Sequence, residues 1–142
     1  MKNIKELLPH REPFLFVDEL VDVSDEQIVG TRIYTSEEAF FKGHFPQYPV
    51  VPGVILVETM AQCGGAGVRQ AGKLPDDKLF FLATIDKVKF RRQVRPTEKV
   101  RFEIQNTRIS SRMIRQRGVA LVGDETAAEA EWMCLVADPP SA

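Results

Sequence analysis

Two residues, His44 and Glu58, have the chemical types and the spacing for acid–base chemistry on an apolar substrate. The chain contains two histidines, and His44 lies in a proline-rich segment between Gly43 and Phe45. A histidine has an ordinary pKa of about 6.5, so it can take up a proton at neutral pH. Glu58 follows among apolar residues, where desolvation raises the pKa of a carboxyl and makes it a better proton donor. Together they form the pair that general acid–base catalysis requires.

Three kinds of neighbour complete this candidate site. A helix is predicted to begin at Gly53 or Val54, and the free backbone N–H groups there can hold a developing oxyanion on a carbonyl substrate. Gln62 lies one helical turn after Glu58 on the same face, so it is predicted to orient the acid. Phe45 and Pro52, beside the base and the helix start, are predicted to line or orient the pocket.

Each of these features alone also has a purely structural interpretation. A loop histidine such as His44 is more often a surface residue than a catalyst, and Glu58 could simply pair with an arginine. We interpret His10, between Pro9 and Arg11, as structural. Cys63 and Cys134 are predicted to be buried small apolar residues, since neither shows metal-ligand spacing.

The candidate residues lie on a stiff loop and a buried helix. Pro46, Pro49 and Pro52 interrupt residues 43–53, which predicts an extended loop without regular structure. The helix that follows is predicted to run to about Ala71. From Val54 to Val68 its only polar residues are Glu58, Thr59 and Gln62, and a helix that is apolar nearly all round is buried. It also contains glycines at positions 64, 65 and 67, which allow other elements to pack closely.

The remaining apolar patterns predict strands at 14–23, 27–34, 79–94, 99–109, 113–122 and 127–137, joined by short turns. A short helix is predicted at residues 4–8, and a second is predicted to begin after Ser36 as its N-cap. One buried helix with a long curved antiparallel sheet is an α+β domain. We expect residues 1–142 to form that single domain.

Composition excludes several classes of protein. The 142 residues are 44% hydrophobic and 27% charged, values typical of a globular domain rather than a disordered one. The net charge of -1 disfavours a nucleic-acid-binding protein. The sequence shows no apolar run that could cross a membrane and no secretion signal, so we expect a soluble cytoplasmic protein with no membrane partner.

Residues 43–62, Gly-His-Phe-Pro-Gln-Tyr-Pro-Val-Val-Pro-Gly-Val-Ile-Leu-Val-Glu-Thr-Met-Ala-Gln, resemble the central motif of the FabZ-type (3R)-hydroxyacyl-acyl-carrier-protein dehydratases. The segment from Leu8 to Asp18 is similar to the opening of that family, and residues 85–92 and 130–134 resemble two of its strands. The resemblance spans nearly the whole chain. Its central motif is highly specific.

This resemblance implies a hotdog fold, in which a sheet wraps one long helix. It also implies a dimer whose sites combine His44 of one subunit with Glu58 of the other, often assembled as a trimer of dimers. The implied reaction removes water from a 3-hydroxyacyl thioester on acyl carrier protein, in fatty acid biosynthesis, without cofactor or metal. The related dehydratase–isomerase branch generally carries Asp where this chain has Glu58.

The sequence departs from the family pattern at three places. Gln47-Tyr48 replaces the commoner Gly-Arg, Gln93 stands where proline is frequent, and Thr97-Glu98 stands where Gly-Asp is usual. None of these changes removes the proposed catalytic pair. A tyrosine at position 48, near His44, is expected to alter the mouth of the substrate tunnel.

A basic segment suggests how the carrier protein is recognised. Residues 87–117 contain eleven lysines and arginines but only two acidic residues. The candidate docking residues are Lys87, Lys89, Arg91, Arg92 and Arg95. The alternatives are a solvated strand face for the charges, and an acyl thioesterase or a non-catalytic acyl-thioester binding module for the whole chain.

Overall fold

A six-stranded antiparallel sheet and one long helix account for most of the structure, a computed structural model that describes residues 1–140. The helices are α1 (Ile4–Leu7) and α2 (Gly53–Gln70), with a 3-10 helix at Ala39–Lys42. The strands are β1 (Glu19–Val23), β2 (Gln27–Ile33), β3 (Leu79–Phe90), β4 (Lys99–Ile109), β5 (Met113–Val122) and β6 (Glu125–Ala137). Their order in the sheet is β1-β2-β4-β5-β6-β3. The predicted α+β arrangement of a sheet around one helix is confirmed.

Alternation of apolar and polar residues decides which face of the sheet is buried. In β4, Val100, Phe102 and Ile104 are buried while Arg101 and Gln105 face solvent. Trp132 and Cys134 are buried on β6 in the same way. These side chains form one hydrophobic core with the apolar residues of α2.

Small residues on α2 let the sheet approach it closely. A Cβ atom added at Gly67 would lie 2.5 Å from Cδ1 of Ile28 on β2. The site of a Cβ on Gly64 is occupied by the side chain of Gln116 from β5, whose amide donates to the Gly64 carbonyl at 3.2 Å. Gln116 also accepts a hydrogen bond from the Trp132 indole at 3.2 Å. The glycines therefore permit the tight packing that the sequence predicts.

Some predicted boundaries are wrong. β1 begins at Glu19 rather than Phe14, because Phe14 and Phe16 bond to the side chain of Gln62 instead of a neighbouring strand. β3 ends at Phe90 rather than position 94, since the next two N–H groups both turn to the Ala127 carbonyl. α2 ends at Gln70, one residue early, and β6 begins two residues early at Glu125.

The segment after Ser36 is also different from its prediction. It forms the 3-10 helix Ala39–Lys42, and the residue at its N-cap is Glu38 rather than Ser36. α1 has the bounds Ile4–Leu7, close to those expected. In the part of the chain that the structure describes, neither α-helix has both the length and the apolar character to cross a membrane.

Candidate active site

The loop between the 3-10 helix and α2 fixes the orientation of the His44 ring. The N–H of Val50 donates to the His44 carbonyl at 3.1 Å, and Nδ1 of His44 lies 3.1 Å from the Val50 carbonyl oxygen. A carbonyl oxygen only accepts, so Nδ1 carries the hydrogen and Nε2 keeps its lone pair. The ring of Phe45 stacks on His44 with centroids 4.3 Å apart. His44 is thereby held in the tautomer that can act as a base through Nε2.

The far side of this loop is tied to the segment after β3. The N–H of Val51 donates to the Val94 carbonyl at 2.8 Å, and Nε of Arg95 donates to the Pro49 carbonyl at 3.0 Å. The Arg95 guanidinium also lies 4.2 Å from the centroid of the Tyr48 ring, within the range of a cation–π contact. Tyr48, one of the departures from the family pattern, therefore packs with Arg95 at the edge of the loop that carries His44.

Glu58 lies on α2 with 21% of its side chain exposed. Nε2 of Gln62 donates to Oε2 of Glu58 at 2.9 Å and to the Phe14 carbonyl at 2.9 Å. Its Oε1 accepts the N–H of Phe16 at 2.9 Å, which fixes which end of the amide faces Glu58. Burial raises the pKa of Glu58, and the hydrogen bond from Gln62 partly opposes that shift. The structure therefore places a carboxyl whose pKa is raised by burial beside an amide that orients it.

Two residues that the sequence analysis assigned to structure also lie near this carboxyl. Nε2 of His10 is 3.9 Å from Oε2 of Glu58. Cys134 is buried, and desolvation together with the nearby Glu58 charge raises the pKa of its thiol to about 12. Cys134 is therefore an unreactive buried thiol near Glu58. His10 was missed as a site residue, although it belongs to the Leu8–Asp18 segment that resembles the family opening.

The start of α2 presents two unpaired backbone donors. The Pro52 carbonyl accepts the N–H of Ile55 at 2.9 Å. Within residues 1–140, the N–H groups of Gly53 and Val54 have no acceptor. Gly53 is needed for close packing, because an added Cβ would lie 2.6 Å from Cε1 of Phe90. The helix start can therefore offer two N–H groups to an oxygen that approaches it.

No hydrogen bond or ion pair joins His44 to Glu58 among the residues that the structure covers. His44 contacts Val50 and Phe45, whereas Glu58 contacts Gln62 and His10. Several large apolar side chains are solvent-exposed in the single chain: Phe45, Val54, Phe81, Leu82, Ile85 and Phe90. Four of these lie on β3, which pairs only with β6 and forms one edge of the sheet.

The five candidate docking cations have different environments. Lys87 pairs with Glu131 at 3.3 Å, Arg91 with Glu129 at 3.2 Å, and Arg92 with Glu98 at 2.7 Å. Lys89 and Arg95 form no ion pair within the described ranges. Carboxylates on β6 and just before β4 therefore pair with three of the five cations.

The pairing of β3 with β6 shows on which face of the sheet these cations lie. Phe90 pairs with Ala128, which is buried toward α2, so Lys89 and its partner Glu129 point to the opposite face. There Lys87 and Lys89 line a groove of about 570 Å³ together with Glu103, Glu129 and Glu131. Arg95 differs from them, since it contacts the loop that carries His44.

No group of three or more His, Cys, Asp or Glu side chains within residues 1–140 has the arrangement of a metal site.

The chain matches the model of the FabA-like domain over residues 8–131. It is 44% identical over 139 residues to a protein named 3-hydroxyacyl-[acyl-carrier-protein] dehydratase FabZ from Pelotomaculum thermopropionicum, covering 96% of this chain and 97% of that one. A protein of the same name from Caldanaerobacter subterraneus is 41% identical over 138 residues, with 96% and 97% covered.

Two solved structures show the same fold at low sequence identity. A dehydratase heterocomplex from Xenorhabdus doucetiae has a TM-score of 0.81 at 16% identity, covering 99% of this chain and 93% of that chain. A putative thioesterase from Ralstonia eutropha has a TM-score of 0.64 at 14% identity, covering 82% and 83%. At such identities the likeness concerns the hotdog fold alone.

Proposed function

The chain belongs to the FabA-like family, among the FabZ-type dehydratases, and we propose that His44 and Glu58 carry out its reaction. That reaction removes water from (3R)-3-hydroxyacyl thioesters on acyl carrier protein and gives trans-2-enoyl thioesters, in fatty acid biosynthesis. The observation that supports this assignment of residues is that hydrogen bonds orient both groups of the family motif. Gln62 orients the Glu58 carboxyl, whose pKa is raised by burial, and the Val50 carbonyl orients the His44 ring.

His44 acts as the base. The thioester carbonyl acidifies the hydrogens on C2, and Nε2 of His44 removes one of them because its Nδ1 hydrogen is committed to the Val50 carbonyl. The negative charge that develops on the thioester oxygen is stabilised by the N–H groups of Gly53 and Val54 at the positive end of α2. Phe45 and Pro52 shape the pocket around these groups.

Glu58 acts as the acid. Its Oε2 accepts the N–H of Gln62, so the carboxyl proton is carried by Oε1. Glu58 transfers that proton to the C3 hydroxyl, which leaves as water. Gln62 keeps its amide oriented through Phe14 and Phe16 and therefore acts as a positioning residue.

The complete site forms between two subunits. β3 is an edge strand of 12 residues, and its outer edge has no partner strand within residues 1–140. Its residues Phe81, Ile85 and Phe90 are about half exposed, and such an edge pairs with another chain unless it is covered. Pairing of β3 with β3 of a second copy buries these side chains and brings a partner His44 loop to Glu58. A dimer is the minimal active unit, and three such dimers form the hexamer that the family resemblance implies.

The acidic carrier protein docks at the cations that form no ion pair within residues 1–140. Lys89 and Arg95 meet that condition, and Arg95 also touches the loop that carries His44. Lys87, Arg91 and Arg92 contribute less, because their charges are already paired. We place this single domain, residues 1–142, in the cytoplasm, which suits its two free cysteines.

The deciding experiment is incubation with a trans-2-enoyl thioester of a small thiol. We expect the enoyl absorbance to fall without release of thiol, because hydration is the reverse of dehydration. Release of thiol would identify a thioesterase. If the absorbance does not fall and no thiol is released, the protein is a binding module.

The histidine is tested in the same assay. His44→Ala removes the base, so we expect activity to fall by about 10²- to 10⁴-fold, the usual contribution of general acid–base catalysis. The thermal melting curve should show a folded protein. Activity near that of the unchanged protein would contradict the role of His44.

A further inference from the structure

His10 and Glu58 face each other across 3.9 Å, from Nε2 to Oε2, within one protomer. That separation is too long for a hydrogen bond in the free protein, but bonds of this kind often shorten when substrate binds. The two side chains are similarly covered, with 22% and 21% exposed. Because Oε2 already accepts from Gln62, a second donor at this oxygen would come from His10.

The backbone around His10 is fixed independently of Glu58. The guanidinium of Arg11 donates to the carbonyls of Leu8 at 2.8 Å, His10 at 2.6 Å and Lys5 at 3.0 Å. Gln62 ties the following residues of the same segment to α2 through Phe14 and Phe16. The position of His10 beside the carboxyl is therefore held by two separate sets of hydrogen bonds.

The surroundings of His10 select its tautomer. Its Nδ1 is buried and has no hydrogen-bond partner within residues 1–140. A buried N–H without an acceptor is rarer than a buried acceptor without a donor, so the lone pair belongs on Nδ1 and the hydrogen on Nε2. That hydrogen points toward Glu58.

The same surroundings keep His10 neutral. Burial, and then the charge of Arg11, lower the pKa of His10. Toward β3 it faces the apolar ring of Phe80, whose centroid is 6.0 Å away, and Arg69 lies over that same ring. Glu58 is the acidic group that it contacts on α2. A cationic His10 would draw the proton off Glu58, so a neutral ring preserves the acid.

We propose that His10 is a positioning residue for the acid: as a neutral, Nε2-protonated imidazole it donates a second hydrogen bond to Oε2 of Glu58. This keeps the transferable proton on Oε1. The bond strengthens as that proton leaves for the C3 hydroxyl and negative charge appears on the carboxylate. The inference rests on the proposed function, in which Glu58 is the acid.

The first test reads the tautomers directly. The chain has two histidines, so ¹⁵N NMR of the histidine-labelled protein at pH 7 gives two ring patterns, assigned with His10→Gln. We expect His10 to carry its hydrogen on Nε2 and His44 on Nδ1. A His10 ring that is protonated on Nδ1 alone, or on both nitrogens, would overturn the proposal.

The second test uses the rate of dehydration of a small-thiol 3-hydroxyacyl thioester against pH. At alkaline pH the rate falls because Glu58 loses its proton. A hydrogen-bond donor to the Glu58 carboxylate lowers the pKa of Glu58, so the fall begins at lower pH. His10→Leu removes the donor, so we expect the alkaline limb to move to higher pH and kcat to fall about three- to tenfold, with KM unchanged. His10→Gln keeps an N–H donor and should restore most of kcat.

Glu12→Gln is the matched control, since Glu12 lies on the same segment but pairs with Lys5 at 3.3 Å on the surface. Its pH profile should equal that of the unchanged protein. An alkaline limb that stays in place in His10→Leu would overturn the role of His10. Full activity of Glu58→Gln would instead overturn the proposed function, so the two failures are distinguishable.

Discussion

At the scale of residues, the carboxyl of Glu58 has an environment that serves proton transfer at a cost in stability. Burial raises its pKa, and the hydrogen bond from Gln62 offsets only part of the shift. A folded state with a raised carboxyl pKa binds its proton more tightly than the unfolded chain does. The stabilising contribution of this group is therefore complete below the unfolded pKa of about 4.3 and is lost as pH rises through the folded pKa.

Glu58→Gln should separate the effect of Glu58 on folding stability from its role in proton transfer. Glutamine keeps the shape and can still accept from Gln62, but it cannot give a carboxyl proton, so we expect activity to fall by about 10²-fold or more. The free energy of unfolding of the variant, relative to that of the unchanged protein, should increase between pH 4 and pH 8. Denaturant melts at both pH values measure this difference. A difference independent of pH would show that burial does not shift the pKa of Glu58.

At the scale of elements, the turn before β4 contains a strained residue. Thr97 has φ of 72°, in the left-handed region that β-branched residues disfavour. Its N–H donates to the Tyr34 carbonyl at 2.8 Å, and Glu98 after it pairs with Arg92. The family usually has Gly-Asp at these two positions, and the backbone conformation explains the glycine.

Thr97→Gly should stabilise the protein. The left-handed conformation costs an L-residue about 1–2 kcal/mol, and the extra freedom of glycine in the unfolded chain removes about 0.5–1 kcal/mol of that gain. We expect the free energy of unfolding to rise by about 0.5–1 kcal/mol in urea melts. Thr31→Gly, in the middle of β2, is the control and should lower it by roughly 1 kcal/mol or more. A loss of stability in Thr97→Gly would refute the strain at this turn.

At the scale of the whole molecule, a site shared between subunits makes a specific prediction about mixtures. Co-expression of His44→Ala with Glu58→Gln produces dimers in which one of the two sites has both the intact histidine and the intact acid. Random pairing gives such dimers about half of the time, so we expect about a quarter of full activity from two variants that are each inactive alone. Activity per subunit of the purified mixture measures this. Sites contained within one subunit would give no recovery.

Carrier docking is also a property of the assembled surface. Replacing Lys89 and Arg95 together by alanine should raise KM for the carrier-bound substrate about three- to tenfold, as expected for two exposed charges. The small-thiol substrate needs no docking, so its kinetics should change less, and by no more than Arg95→Ala alone changes them through the lost bond to Pro49. Lys73→Ala, near the end of α2, removes a surface cation as a control. Equal losses on both substrates would show that the two cations support the pocket rather than docking.

Local sequence patterns are sufficient to predict the helix that carries Glu58, the stiff loop that carries His44, and the buried faces of the strands. These features depend on prolines, glycines and apolar periodicity within short segments, which act through local sterics and burial. The resemblance to a known family predicted the family membership and the fold, and both predictions are confirmed. The wrong strand boundaries, as at Phe14, arose where a distant side chain replaced a neighbouring strand as hydrogen-bond partner.

Contacts between residues that are distant in the sequence are set only when the chain folds. Folding placed His10 beside Glu58 and the Gln62 amide on Phe14, and it set carboxylates of β6 against Lys87 and Arg91. These contacts depend on strand register and on how the N-terminal segment crosses α2, which no local pattern encodes. The sequence names groups that can ionise, but folding sets their distances and burial, and those decide which group holds a proton and which charge is free to bind a partner.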